Sequence, residues 1–373
     1  MTASSTLHPG FALLGEEVEL SRIEKALQDL FAGDGGGGES GPAGIARASL
    51  INLALYNENP DDLERDADVL AEITSETACR ALLIHADIRA RETGARAWVQ
   101  AHCQIDRSGA KSVCTEQISF FLTGRSPGLL RNVVLANLDS DLPLAFWWRG
   151  EFSDAFEEGL YSRIDRLLYD SESWDSPRNP FLRLLESQRS ASAPFVMHDF
   201  AFTRINAFRH AIANAFDRPL VARSLGQLST IEIRHAGGHG MSALYLASWI
   251  ASRLEASFDL TASGPSGIVC QPGKKGRHSG FVIRLSELAP ERLGSVEVDF
   301  DLGDSRVEIS RCQTRDFIRT LTKREGADTE EDWLPARGLS DAALVSDILN
   351  RAGRNRTHAQ ILPGVIELLA LRG

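Results

Sequence analysis

Gly238, His239, Gly240, Met241, Ser242 and Ala243 spell a GxGxxA pattern between Ser229 to Arg234, which alternates like a strand, and a helical periodicity from about 241 to 255. Glycines at such a turn let the backbone approach a pyrophosphate, and the free N–H groups of the helix start hold its charge. A ribose-binding acid would be sought near Asp259, but the strands that follow it read as antiparallel. An NAD(P)-binding oxidoreductase is one reading of the Gly238 to Ala243 turn. A tight glycine turn into a buried helix is the other. His235 and His239 are four apart, yet Ala236, Gly237 and Gly238 between them argue for a loop, and no glutamate completes a zinc-binding helix motif. No metal site and no resident cofactor are expected.

The loop GPSGIVCQPGKKGRHSG at 264 to 280 gathers Lys274, Lys275, Arg277 and His278 in an otherwise acidic chain. It misses the phosphate-loop pattern, because five residues separate Gly267 from Gly273 and Lys275 stands where Ser or Thr is required. It reads either as a solvated hairpin tip or as a contact for an acidic partner or a sugar phosphate, the latter making the chain a metabolite-sensing regulator. Trp147 and Trp148 are adjacent on a strand and so point to opposite faces, which leaves one of them free to meet a covering helix or a partner. No GxSxG elbow, HExxH helix or kinase signature is present, so no catalytic residues are assigned.

Five cysteines, at 79, 103, 114, 270 and 312, show no CxxC pair and no zinc spacing. Ala97, Val99, Ala101, Cys103 and Ile105 alternate with polar residues. If Ser108 and Gly109 form a two-residue hairpin loop, Cys103 and Cys114 face each other at a separation compatible with a bridge. A reducing compartment favours two small buried thiols there. In the same register Glu116 shares the apolar face of Cys114 and Ile118, where a carboxylate needs a basic partner.

The elements that must carry these residues follow from periodicity. A helix over 18 to 31 leads into a glycine-rich linker at 33 to 44. Strands over 48 to 55, 80 to 86, 142 to 148 and 164 to 171 alternate with helices over 60 to 76, 127 to 138 and 180 to 189, and the hairpin is inserted among them. The second half reads as a helical segment over 199 to 216, a strand at 229 to 234 and the helix at 241 to 255. Strand-like runs at 267 to 271, 279 to 285, 295 to 300 and 304 to 311 come next, then helices near 316 to 323, 340 to 352 and 358 to 371. The expected class is α/β plus α+β: a layered α/β domain with a mainly parallel sheet at 45 to 195, and helices on an antiparallel sheet at 196 to 373. Residues 1 to 44 precede both.

The chain has 373 residues, 43% hydrophobic and 24% charged, with a formal net charge of −11. That charge disfavours a nucleic-acid partner. Lysine supplies five of the 40 basic residues, so arginine forks dominate any ion pairing. The N-terminus lacks a secretory pattern, and no apolar run suits a membrane span, so a soluble cytoplasmic protein is expected.

Several motifs taken in order resemble the glucose-6-phosphate dehydrogenase assembly protein family, OpcA. They are ARASLINLAL from Ala46 to Leu55, ACRA from Ala78 to Ala81, CTEQI from Cys114 to Ile118, SDLPLAFWWRG from Ser140 to Gly150 and IDRLLYDS from Ile164 to Ser171. DFAFTR from Asp199 to Arg204, Phe208-Arg209, Phe216-Asp217 and LYLASWIASRL from Leu244 to Leu254 continue the series. Ala78 stands where the family usually has Pro, Phe202 where it often has Trp, and residues 256 to 373 carry no matching motif. The resemblance implies a non-catalytic assembly factor or allosteric activator whose partner is glucose-6-phosphate dehydrogenase, in the oxidative pentose phosphate pathway. Its motif positions are Arg80, Cys114, Glu116, Asp141, Asp170 and Arg204, and these are open to a structural role. Its stoichiometry and oligomeric state are not implied.

Overall fold

The structure is a computed structural model and describes residues 9–33, 46–47, 49–105, 112–264, 267–274, 278–290, 292, 294–351 and 355–371. Of the linker expected at 33 to 44, the residues from 34 onward lie outside the described residues, and so do Ser108 and Gly109, expected as the hairpin loop. Two compact units are formed, one from Met1–Tyr169, Leu184–Val196 and Val345–Asn350, the other from Asp170–Arg183, Met197–Leu344 and Arg351–Gly373.

The first sheet draws on β1 (Glu16–Val18), β2 (Ala46–Arg47), β3 (Asn52–Asn57), β4 (Arg80–Asp87), β5 (Gly94–Ile105), β6 (Ser112–Thr123), β7 (Leu144–Arg149), β8 (Arg166–Tyr169) and β9 (Val196–Asp199). Helices α1 (Ile23–Gly33), α2 (Leu63–Glu76), α3 (Pro127–Ala136), α4 (Glu158–Tyr161) and α5 (Arg178–Ser190) are interspersed. Its strand order is β1-β5-β6-β4-β3-β7-β8-β9, with β2 on β6. Pairings β6–β4, β4–β3, β3–β7 and β7–β8 are parallel, while β5 joins β6 antiparallel. The parallel run β6-β4-β3-β7-β8 is the 3-2-1-4-5 order of a dinucleotide-type fold, with the reversal of direction between β3 and β7. β3 is buried along its whole length, and β4 and β7 are buried at all but their last residues, as strands covered on both faces must be. The connection from β4 to β6 departs from that plan, because it is the antiparallel strand β5.

The second unit holds α6 (Phe200–Arg204), α7 (Asn206–Phe216), α8 (Pro219–Ser224) and α9 (Gly240–Arg253) around an eight-stranded sheet. The strands are β10 (Thr230–His235), β11 (Ala256–Gly264), β12 (Gly267–Pro272), β13 (Phe281–Glu287), β14 (Val296–Asp301), β15 (Ser305–Arg311), β16 (Phe317–Arg324) and β17 (Glu330–Pro335), in the order β11-β12-β13-β10-β14-β15-β16-β17. Helices α10 (Asp341–Leu349) and α11 (Arg356–Ala370) end the described chain. Among the described residues the pairings here are antiparallel except β10 with β13. The stretch 316 to 323, expected as a helix, is therefore strand β16. Ile318, Thr320 and Thr322 alternate inward, and the β-branched threonines suit a pleated strand. The flanking strands β11 and β17 had not been expected. Both lie at sheet edges, where too little apolar surface is buried to leave an alternating pattern.

One face of this sheet carries ion pairs in place of packing. Glu297 and Asp299 are nearly buried on β14, and Arg234 reaches both, at 3.3 and 2.9 Å. Arg306 adds a contact to Asp299 at 3.1 Å, and Arg292 one to Glu297. Desolvated carboxylates survive there because guanidinium forks cover them.

Candidate functional site

The GxGxxA turn is built as the sequence suggested, but its anion site is filled. Gly238 takes φ +76°, a left-handed conformation that glycine adopts without strain, and α9 begins at Gly240. The first N–H groups of a helix have no partner within it. Here those of Met241 and Ser242 donate to the two carboxylate oxygens of Glu172, at 2.9 and 2.7 Å. Glu172 sits in a single 3₁₀ turn, Ser171–Ser173, just after β8, and Asp170 caps that turn by accepting from the Glu172 N–H at 3.2 Å. Burial raises the Glu172 carboxyl pKa, and the helix N–H groups oppose that shift. A pyrophosphate would have to displace this side chain from the position it needs itself.

Beneath the turn lies a polar network that the solvent does not reach. Asp199 caps α6, accepting from Ala201 N–H at 2.9 Å and Ser171 N–H at 3.1 Å, while its second oxygen accepts from the Tyr245 hydroxyl at 2.8 Å. The Tyr245 hydroxyl also lies 3.0 Å from His358 Nε2. Since the one phenolic proton goes to Asp199, His358 must donate from Nε2, which fixes its tautomer while Asp199 is ionised. Burial, then the charges of His198 and Arg209, hold the His358 pKa down at about 3, so the ring is neutral. Burial, then the charge of Asp170, push Asp199 up to about 7. Arg204 grips Asp170 with two bonds, at 2.8 and 2.6 Å. Four of the six residues of the DFAFTR motif are thereby explained: Asp199 caps, Phe202 stacks under the Arg209 guanidinium at 4.1 Å, Thr203 bonds Asp199 O, and Arg204 holds Asp170. With Asp199, Tyr245 and His358 all enclosed, the network can shuffle a proton internally but offers no substrate a place.

In the first unit, the β3-to-α2 turn stands where a dinucleotide fold carries its glycine fingerprint. It reads Asn57, Glu58, Asn59, Pro60, Asp61, Asp62 and contains no glycine. Asn57 Oδ1 accepts from Asn59 N–H at 2.9 Å and Asn59 Oδ1 from Asp61 N–H at 3.3 Å, so side chains hold the turn. Asp66, fully buried on α2, is reached by Asn57 Nδ2 at 2.7 Å, His85 Nε2 at 3.2 Å and Arg149 Nε at 3.3 Å. Burial works to raise its pKa, but the His85 and Asn57 hydrogen bonds and the Arg149 charge outweigh it, and the net shift is downward. Four carboxylates, Glu58, Asp61, Asp62 and Asp66, crowd the position that a pyrophosphate would take. Neither turn fits that group.

The other expected residues scatter. Arg80 and Glu116 are cross-strand neighbours on β4 and β6 with a 3.8 Å ion pair, and Arg80 also binds Glu24, so the basic partner that Glu116 required exists. Cys114 is disulfide-bonded, and Cys103 is the residue opposite it in the ladder, in the register expected from the sequence. The expectation of two thiols is corrected. Asp141 is exposed in a turn. Trp147 and Trp148 are both buried, and Trp148 Nε1 donates to Glu151 O at 3.0 Å, so neither offers the solvent-facing contact proposed for it. His278 is also buried, with Nε2 3.1 Å from Leu254 O and its ring edge-on to Phe281, which removes it from any open basic cluster. Lys274 is exposed, while Lys275 and Arg277 lie outside the described residues. Among the described residues no group of three or more His, Cys, Asp or Glu is placed to hold a metal. Sequence reasoning missed Glu172, whose partners are 69 and 70 positions away, and it missed Tyr245 as the partner that links Asp199 to His358.

Fold and turns together define a dinucleotide-type α/β scaffold whose anion-binding turns are taken up by the chain's own carboxylates, joined to a unit of helices on a largely antiparallel sheet. The family described as glucose-6-phosphate dehydrogenase subunit matches with its N-terminal domain over residues 70–186 and with its C-terminal domain over 196–362. The chain belongs to this OpcA family of glucose-6-phosphate dehydrogenase assembly proteins. A protein named OxPP cycle protein OpcA from Nostoc punctiforme is 27% identical over 189 residues, 49% of this chain and 39% of that protein. Its namesake from Synechocystis is 27% identical over 215 residues, 56% of this chain and 44% of that protein. The matched stretch thus spans less than half the length of either relative. Among solved structures, an oxidoreductase domain protein from Kribbella flavida aligns with a TM-score of 0.44 and 8% identity over 87% of this chain and 90% of that one. At that score the likeness carries no argument of its own. No helix among the described residues is long and apolar enough to cross a membrane.

Proposed function

We propose that the chain is a non-catalytic partner of glucose-6-phosphate dehydrogenase in the cytoplasm, promoting its assembly or active state at the entry to the oxidative pentose phosphate pathway. Family membership over both units supports the partner. The single observation that carries the non-catalytic part is Glu172, whose carboxylate occupies the N–H groups of Met241 and Ser242 in the first turn of α9. A protein of this kind acts by binding the active oligomer or conformation of the enzyme more tightly than the inactive one, and it shifts that equilibrium by no more than the difference in affinity. The test is to mix the purified chain with the dehydrogenase of the same organism and to follow oligomeric state by light scattering and activity by initial rates. A stable complex with altered KM or kcat is expected. Absence of both a complex and a kinetic change overturns the reading.

A further inference from the structure

A cavity of about 290 Å³ opens at the carboxyl ends of the parallel strands in the first unit. It lies where ligands enter open α/β sheets, outside the strand ends around the reversal of strand order. Tyr56 brings the end of β3 to it, Leu122 the end of β6, and Ser153 the loop after β7. The carboxylate of Glu58 is the polar centre. Its Oε1 accepts from the Tyr56 hydroxyl at 2.8 Å and from the Ser153 hydroxyl. Burial, then the Glu58 charge, hold the Tyr56 phenol well above its ordinary range, so this hydroxyl stays a neutral donor. Ile88, Leu122 and Leu130 supply apolar lining, and Ser126 adds a hydroxyl that makes no helix-cap bond.

Charge narrows the ligand class. Glu58 in the wall, with Asp61 and Asp62 on the same turn, repels phosphate and carboxylate. Arg125 and Asp154 in the lining offset each other, so the remaining charge is that of Glu58, which Tyr56 and Ser153 already stabilise by hydrogen bonds. Oε1 already takes two hydroxyl donors, so Oε2 is the oxygen left to accept from a ligand hydroxyl, and the apolar part of the lining is matched by the C–H face of a ring. The volume is at the lower end for metabolite pockets, about 300 Å³ and upward. From this geometry we infer that the cavity is a binding site for a small, uncharged polyhydroxy compound, held through Glu58 and packed against Ile88 and Leu130.

The experiment titrates the full chain with a neutral hexose, the same hexose as its phosphate monoester, and a primary amine of similar size. Binding is read by saturation-transfer NMR and calorimetry, on the wild type and on Glu58→Gln and Ile88→Trp. Saturable binding of the neutral hexose is expected, weakened at least about tenfold in Glu58→Gln, the factor for losing one charge-assisted hydrogen bond. Ile88→Trp, at a half-exposed position that tolerates the larger ring, fills the cavity and abolishes binding. Tighter binding of the phosphate ester or of the amine overturns the assignment. So does the absence of saturable hexose binding, or an affinity unchanged in both variants while their circular dichroism shows them folded.

Discussion

Glu172 does the work of a bound anion with a side chain that never dissociates. Glu172→Ala leaves two helix-start N–H groups without their acceptor, and a loss of about 1–3 kcal/mol in urea denaturation is expected. The vacated turn then resembles an open anion site, so sulfate should raise the melting temperature of the variant more than that of the wild type. An equal response in both would show that Glu172 is not what fills the turn. Asp199 makes a separate prediction about pH. Its pKa rises from 3.8 unfolded to about 7 folded, so the folded chain binds this proton more tightly than the unfolded chain. The stabilisation attached to that proton is full below pH 3.8 and is lost as pH climbs through about 7. The stability of the wild type relative to Asp199→Asn should therefore fall across that window, measured as paired urea midpoints. A flat difference would mean the network already holds Asp199 ionised at low pH.

At the scale of elements, the hairpin of β5 and β6 shows how far sequence alone can reach. Alternation plus one assumed two-residue loop placed Cys103 opposite Cys114, and the ladder has that register. Free cysteines among the described residues are Cys79, Cys270 and Cys312. Denatured, unreduced protein should accordingly titrate three of its five thiols, and all five after reduction. Five titratable thiols without reductant would restore the thiol reading. Interior elements were legible because double burial writes long apolar runs into β3, β4 and β7. The edges β11 and β17 were not, since exposed strands need no such runs. Nor was the role of Glu297 and Asp299 legible: VEVDFD displays the alternation, but the arginine that covers both comes from β10, more than 60 positions earlier.

For the whole molecule, a helix-flanked parallel sheet could be expected from the sequence, but the reversal between β3 and β7 could not, because strand order is set by contacts that leave no local pattern. That order makes the chain look like an enzyme, and the turns show why it need not act as one. NADP or NAD at about 1 mM should leave the melting temperature of the isolated chain unchanged, where a site of micromolar affinity would raise it clearly by mass action. A nucleotide-dependent rise abolished by Gly240→Val would instead revive the oxidoreductase reading. The outermost strand of the second sheet has a practical consequence for handling the protein. β17 reads Glu330, Glu331, Asp332, Trp333, Leu334, Pro335, so three carboxylates and a proline stand along a row of backbone groups that could otherwise recruit another strand. Each carboxylate is held by an arginine, Glu330 and Asp332 by Arg218 and Glu331 by Arg319, so ordered ion pairs and a proline, not apolar surface, meet any strand that approaches this border. High salt, which screens those pairs, is the condition under which storage should be watched for turbidity.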